Sequence, residues 1–162
     1  MQLNNIVLIV AGTLTGLDAG LLYAFSVAVV PSLRALKGTQ HIAAMQTINV
    51  KILNSVFFLG FFGPTILLPV AAFLYWGTPQ FGWLLAAALL HILGANGVTA
   101  MGNIPLNNQL AEIDIDQISE EEADKVRKEF QGPGSPWMLL HTIRTLAAIA
   151  ATVLVFVACL LG

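Results

Sequence analysis

The chain has 162 residues, 57% of them hydrophobic and 10% charged, with a formal net charge of -2. That balance lies outside the range of an ordinary water-soluble domain, and the weak net charge gives no footing for nucleic-acid binding. No Asp, Glu, Lys or Arg occurs between Lys51 and Glu112; an aqueous surface cannot be built from such a stretch, so the sequence predicts an integral membrane protein embedded in a lipid bilayer.

In chain order, "MQLNNIVLIVAG" carries no positive charge and its apolar run continues past residue 28, which predicts a retained helix rather than a cleaved signal peptide. Four windows reach the ~20 residues a helix needs to cross the hydrocarbon: residues 6–30, 53–76, 81–101 and 136–161. The expected architecture is all-α: a single four-span transmembrane domain over residues 1–162, a four-helix bundle with a short amphipathic helix between spans three and four.

In the first span Gly12, Gly16 and Gly20 form a small-residue stripe suited to close helix contact. At ~100° per residue Asp18 points nearly opposite that stripe, so the two are not expected to face the bundle axis together. With Asp18 inward, the preferred arrangement, the stripe faces outward and suits a homo-oligomer; with the glycines inward, Asp18 is protonated or reaches another subunit. The first link carries Arg34, Lys37 and Lys51, and "GTQHIAAMQTINVKILN" looks helical from Thr39 and is expected to run on into the second span. Gly63, Pro64 and Pro69 predict a bend in that span, leaving carbonyls for neighbours to satisfy.

The second link, "GTPQFG", is short and uncharged, and "GNIPLNN" is expected to end the third span at Pro105. The third link holds Lys125, Arg127 and Lys128, with a capping box from Ser119 to Glu122 and an apolar face of Ala123, Val126 and Phe130. Glu121 with Lys125 and Asp124 with Lys128 are spaced as i,i+4 pairs. Ser135 and Pro136 read as N-cap and first position of the fourth span. Two basic links predict that both lie in the cytoplasm and both termini outside. Without a targeting signal, a bacterial inner membrane is the expected location. No internal repeat supports a transporter built from inverted halves.

Ionisable and amide groups within spans are costly and demand a role. At ~1.5 Å of rise per residue, Arg144, Asn96 and Tyr23 fall in one layer, about 10 to 12 Å from the cytoplasmic ends of their helices. His141 lies slightly nearer the cytoplasm, and Asp18 and His91 form a deeper layer at about 18 to 20 Å. Trp137, His141, Arg144 and Thr145 share one face of the fourth helix. Snorkelling of Arg144 to headgroups is the bland alternative; the shared depth with Asn96 and Tyr23 favours a buried polar pocket. The amides of Asn49, Asn54, Asn96, Asn103, Asn107 and Asn108 cluster toward the same half, where helix gluing and capping is the plain explanation, strongest for Asn107 and Asn108. His91 and His141 differ in depth by roughly 12 Å, too far to share a haem, and no ligand cluster suggests a metal. His91 is better matched to Asp18 as a hydrogen-bond partner.

Taken as a set, "AGLLYAFSVAVVPSL", "MQTINVKILN", "NIPLNNQL" and "W...H..RT" resemble the anthrone oxygenase-like family. The likeness runs through nearly the whole chain in order, and "N.PLN" and "H..RT" are its most specific pieces; Asp18 departs from the family pattern. The resemblance implies a small four-helix membrane protein that oxidises an anthrone to an anthraquinone with O2, without metal, flavin or other cofactor. It also implies that Asn49, Asn54, Asn103, Asn107, Trp137, His141 and Arg144 hold the motif positions. Such chemistry needs a base to remove a proton and cations or amides to hold the resulting oxyanion. His141 is the expected base, Arg144 the anion stabiliser, Asn96 and Asn103 donors, and Tyr23 and Trp137 walls for a hydrophobic small-molecule substrate arriving from the membrane. The alternatives are a non-enzymatic scaffold or lipid- or small-molecule-binding bundle, recognisable by a polar layer filled by its own hydrogen bonds, and a channel, wet on both sides.

Overall fold

A computed structural model describes residues 2–161 of the chain. Among them it contains helices and connecting turns and no strand: α1 (Leu3–Arg34), α2 (Gly38–Lys51), α3 (Ser55–Leu74), α4 (Gln80–Ala111), α5 (Glu120–Gln131) and α6 (Pro136–Leu160). The four long apolar helices α1, α3, α4 and α6 are each sufficient to cross a membrane. α1 packs against α3 and α6, and α4 packs against the same two, which closes a four-helix bundle in the cyclic order α1, α3, α4, α6. Its outward surface is apolar, with Val56 78%, Met101 81% and Leu160 85% exposed, as suits a lipid-facing wall.

One half of the bundle is a dry core of Leu8, Ala11, Leu68, Ala71, Leu84 and Val155. Small residues bring the helices close: a Cβ at Gly94 would lie 2.6 Å from that of Ala147, and Leu14 occupies the space beside Gly63. The glycine stripe of α1 is drawn into the same packing. Because α1 is flanked by two helices, it buries two faces, so Asp18 is 3% exposed while a Cβ at Gly12 would meet Val155 of α6 at 3.0 Å. The expected choice between the two faces therefore falls away; Gly12 and Gly16 serve contacts within the chain, and Gly20 alone of the three has nothing beside it.

α1 and α4 run farther than the apolar windows suggest, through Pro31 and Pro105. In each, a π-helical turn immediately precedes the proline, Phe25–Val29 in α1 and Thr99–Asn103 in α4. A proline lacks the N–H and crowds the carbonyl four residues back, here Val27 and Met101; both lie inside the π turns, whose wider course makes room. α4 has a second π segment, Leu90–Gly97. α3 stays helical through Pro64 and Pro69, and Asn96 donates to the nearby Phe61 carbonyl at 3.0 Å.

α2 does not run into α3. Asn54 separates them: its Oδ1 accepts from the Val56 and Phe57 amides at 3.1 and 3.0 Å, while its Nδ2 donates to the carbonyls of Lys51 and Ile52. α2 and α5 together close one end of the bundle. The Glu120 carboxylate accepts from the Gly38 amide and, at 2.7 Å, from the Thr39 hydroxyl. Arg34 donates to the Gln131 carbonyl at 2.6 Å and Arg127 to that of Arg34 at 2.7 Å. The Ser119–Glu122 capping box and the Ser135 cap of α6 both form. Lys128 approaches Asp124 at 3.9 Å, but Lys125 pairs with Glu129 rather than Glu121. The apolar face of α5 packs on Ile42, Met45 and Trp137, so it is covered by protein.

Candidate functional site

Between the dry core and the α2–α5 end lies a cavity of about 260 Å³. A single water needs only ~10–15 Å³ on this measure, so the space suits a multi-ring ligand. α1 contributes Asp18, Leu22 and Phe25, and α2 contributes Met45, Ile48 and Asn49. α3 supplies Phe57, Phe58, Phe61 and Phe62; Thr99 and Asn107 come from α4 and Trp137 and Arg144 from α6. Phe57 and Phe61 stack at 5.3 Å, an i,i+4 pair that forms a flat aromatic wall. Phe58 and Phe62 are 41% and 49% exposed, so the cavity wall is also part of the outer, lipid-facing side of α3.

Arg144 is 9% exposed and its guanidinium is held on three sides. Nε and Nη2 both donate to His141 Nδ1 at 3.1 Å, and Nη1 donates to the Thr99 hydroxyl at 3.2 Å. A guanidinium has five N–H donors and no acceptor, so two remain uncommitted. Because Nδ1 receives both bonds, neutral His141 carries its proton on Nε2, which donates to Ser26 Oγ at 2.9 Å. Ser26 in turn donates to the Leu22 carbonyl at 3.1 Å. Trp137 stacks on His141 with ring centroids 5.0 Å apart and lies 5.6 Å below the Arg144 carbon Cζ, a cation–π contact. Among the described residues no carboxylate comes within 4.0 Å of Arg144.

The residues singled out in the sequence divide into three groups. Asn49, Asn107, Trp137 and Arg144 line the cavity; Asn107 accepts from Trp137 Nε1 at 2.8 Å, and the buried Nδ2 of Asn49 has no protein partner. His141, Asn96 and Asn103 are buried behind it. Asn103 donates to the Trp137 carbonyl at 3.1 Å, and Asn96 donates to Thr65 at 2.6 Å as well as to Phe61. Tyr23 and Asn54 lie elsewhere. Tyr23 is 55% exposed on the outer surface, because five residues turn it roughly 140° from Asp18 at about 100° per residue; depth alone misplaced it. Asn54 is occupied as the cap of α3. His141, the expected base, is 0% exposed and off the cavity wall, with one ring nitrogen accepting from Arg144 and the other directed to Ser26.

Sequence reasoning left Asp18 without a role and missed Thr99, Ser26 and the α3 phenylalanines. Asp18 is on the cavity wall and accepts from His91 Nε2 at 3.2 Å, the pairing their matching depth suggested. The two polar layers are thus one site, since Asp18 and Arg144 face the same space. Thr99 carried no signal: a lone threonine in an apolar helix more often bonds its own backbone, as it also does here to Ala95 at 2.8 Å.

Fold and site together define a class: a small helical bundle, built to lie in a membrane, with a buried cation facing an aromatic-walled cavity. Residues 56–154 match the family described as anthrone oxygenase, and the chain belongs to that family. No curated protein and no solved structure matches it.

Proposed function

We propose that the protein is a membrane-embedded oxygenase that converts an anthrone-like, apolar polycyclic phenol or ketone to its quinone with O2 and needs no cofactor. The observation that carries this reading is Arg144: a buried cation on a cavity wall, with no carboxylate within 4.0 Å among the described residues and two donors to spare. A buried charge without a contacting counter-ion is unfavourable, and an anionic ligand in the cavity supplies that contact. An enolate or phenolate supplies one negative oxygen on a flat apolar body, which matches one guanidinium among Trp137, Phe57 and Phe61.

Oxygenation then follows from charge. Removing a proton from the substrate leaves an electron-rich anion that reduces O2 itself, and the guanidinium stabilises the oxyanion as it forms. Asn49 Nδ2, buried and unpartnered, adds a neutral donor. His141 acts through Arg144: its Nδ1 holds the guanidinium fork in place, and Ser26 holds the ring. The half-exposed Phe58 and Phe62 give a lateral route from the bilayer. In a bacterial inner membrane the α2–α5 end would face the cytoplasm, in keeping with its basic residues.

The test is oxygen uptake by the detergent-solubilised protein with an anthrone, corrected for the uncatalysed rate and paired with chromatographic detection of the quinone. Wild type should consume O2 and form quinone, and Arg144→Ala should not. Tight binding of the anthrone without turnover would point instead to a small-molecule-binding bundle.

A further inference from the structure

The chemistry above requires a proton acceptor, and the cavity offers few. Of the residues that line it, Asp18 and Arg144 are the only ionisable ones among the described residues, and Arg144 is a donor alone. His141 is behind the wall with both ring nitrogens engaged. α3 contributes phenylalanines, and the α2 and α4 residues on the wall carry amides, a hydroxyl and apolar groups.

Asp18 is placed as an acceptor would be. Its Oδ2 accepts from His91 Nε2 at 3.2 Å; no hydrogen bond engages Oδ1, and the residue reaches the cavity. His91 is 0% exposed and its Nδ1 is buried without a partner. A proton on that nitrogen would be an orphaned donor in an apolar interior, so the geometry favours neutral His91 donating through Nε2 to the Asp18 carboxyl group, whose Oδ1 stays open to the cavity. The carboxylate then shares the cavity with the Arg144 guanidinium, more than 4.0 Å apart. The two charges offset each other across a space that a ligand fills. A proton leaving the substrate toward Asp18 turns that separated pair into a contact pair of substrate anion and Arg144.

We infer that this chain, which departs from the family pattern at Asp18, uses Asp18, held by His91, as the proton acceptor of its own cavity, with His141 a positioning residue. The inference rests on the oxygenase reading for its reaction. In that reaction a C–H bond of the anthrone methylene breaks, its proton passes to Asp18 and its electron pair stays on the ring system. The anion and O2 join as a peroxide, which takes the proton back from Asp18. Loss of the second methylene proton to Asp18, with cleavage of the O–O bond, gives the carbonyl and hydroxide. Hydroxide recovers that proton as water, so one anthrone and one O2 yield one quinone and one H2O.

The experiment compares wild type, Asp18→Asn and His141→Gln by two readouts. Asn is isosteric and its Oδ1 still accepts from His91, so the packing survives while the ionisable oxygen is lost. The first readout is anthrone-dependent O2 uptake, with a methylene-deuterated anthrone to expose proton removal. General-base loss should lower the Asp18→Asn rate by roughly 10²- to 10⁴-fold, while His141→Gln, which loosens the Arg144 fork, is also slowed but keeps a deuterium-sensitive rate. The second readout needs no turnover: 2-hydroxyanthraquinone changes colour on ionisation, and its spectrum when bound reports whether it has lost its proton. Wild type should bind it as the phenolate without releasing a proton to a weakly buffered medium, and Asp18→Asn either as the neutral phenol or as a phenolate whose proton appears in the medium. Full uptake by Asp18→Asn would overturn the inference and leave the oxygenase reading standing. Absence of uptake in wild type would sink the oxygenase reading, and the dye would then decide Asp18 alone: a dye left neutral by wild type, or ionised by wild type with release of its proton to the medium, overturns it.

Discussion

At the scale of single residues, Arg144 is bound by geometry as much as by charge. Its Nε and Nη2 grip one histidine nitrogen while Nη1 reaches Thr99, so a point charge on a flexible stem cannot replace it. Arg144→Lys should therefore keep the cation, still bind the quinone, and lose about 10²- to 10³-fold in turnover, the usual cost of a misplaced oxyanion donor. Steady-state O2 uptake beside quinone binding separates the two effects; unchanged turnover would mean that charge alone suffices. Asn54 gives the contrasting case. The resemblance implied a place for it in the site, yet its side chain is spent on capping α3. Asn54→Ala should lower stability by about 1 kcal/mol, seen as an earlier unfolding midpoint in detergent, and leave turnover per folded molecule unaltered.

At the scale of elements, the α2–α5 closure depends on a glycine. A Cβ at Gly38 would fall on the backbone of Asp124 and Ala123, which cannot yield as a side chain can. Gly38→Ala should part the two helices and cost roughly 1–3 kcal/mol, read from the unfolding midpoint, with the cavity opened at its Met45 and Ile48 side. His41 makes the same closure sensitive to acid. Its Nδ1–H donates to the Leu33 carbonyl at 3.1 Å, and its buried Nε2 has no partner. Burial is the largest influence and lowers its pKa below 6.5; the Leu33 bond opposes this, and Arg127 and Arg34 add to it. The unfolded chain therefore takes up the proton first, so this contribution is complete above 6.5 and is lost as pH falls from 6.5 through the lower folded value. Unfolding midpoints followed downward through that window should fall for wild type and fall less for His41→Asn.

The same scale marks what the sequence could tell. Long apolar windows, the Ser119 capping box and Ser135 before Pro136 were legible because each rests on local chemistry within one or two turns. The π turns before Pro31 and Pro105 were not, since a proline looks like a stop until a widened turn accommodates it. Depth along a helix found Asp18 with His91, but rotation decided the fates of Tyr23 and His141, and rotation depends on which neighbours flank the helix.

At the scale of the whole molecule, the packing of α2 on α5 puts both basic links at one end of the bundle and the uncharged turn around Gly77, whose φ is +76°, between α3 and α4 at the other. Two links that touch must share a side of the membrane, so the Lys and Arg bias acts on both together and there is no mixed arrangement to consider. The favoured orientation has Arg34, Lys37, Arg127 and Lys128 in the cytoplasm. Cysteines placed singly at Thr78 and Asp116, with Cys159→Ser as background, test this with a membrane-impermeant thiol reagent. Thr78→Cys should react in intact cells and Asp116→Cys only after lysis. The reverse pattern would invert the molecule, and labelling of both in intact cells would contradict the bundle itself, because no single crossing of these four helices exposes both turns to one side.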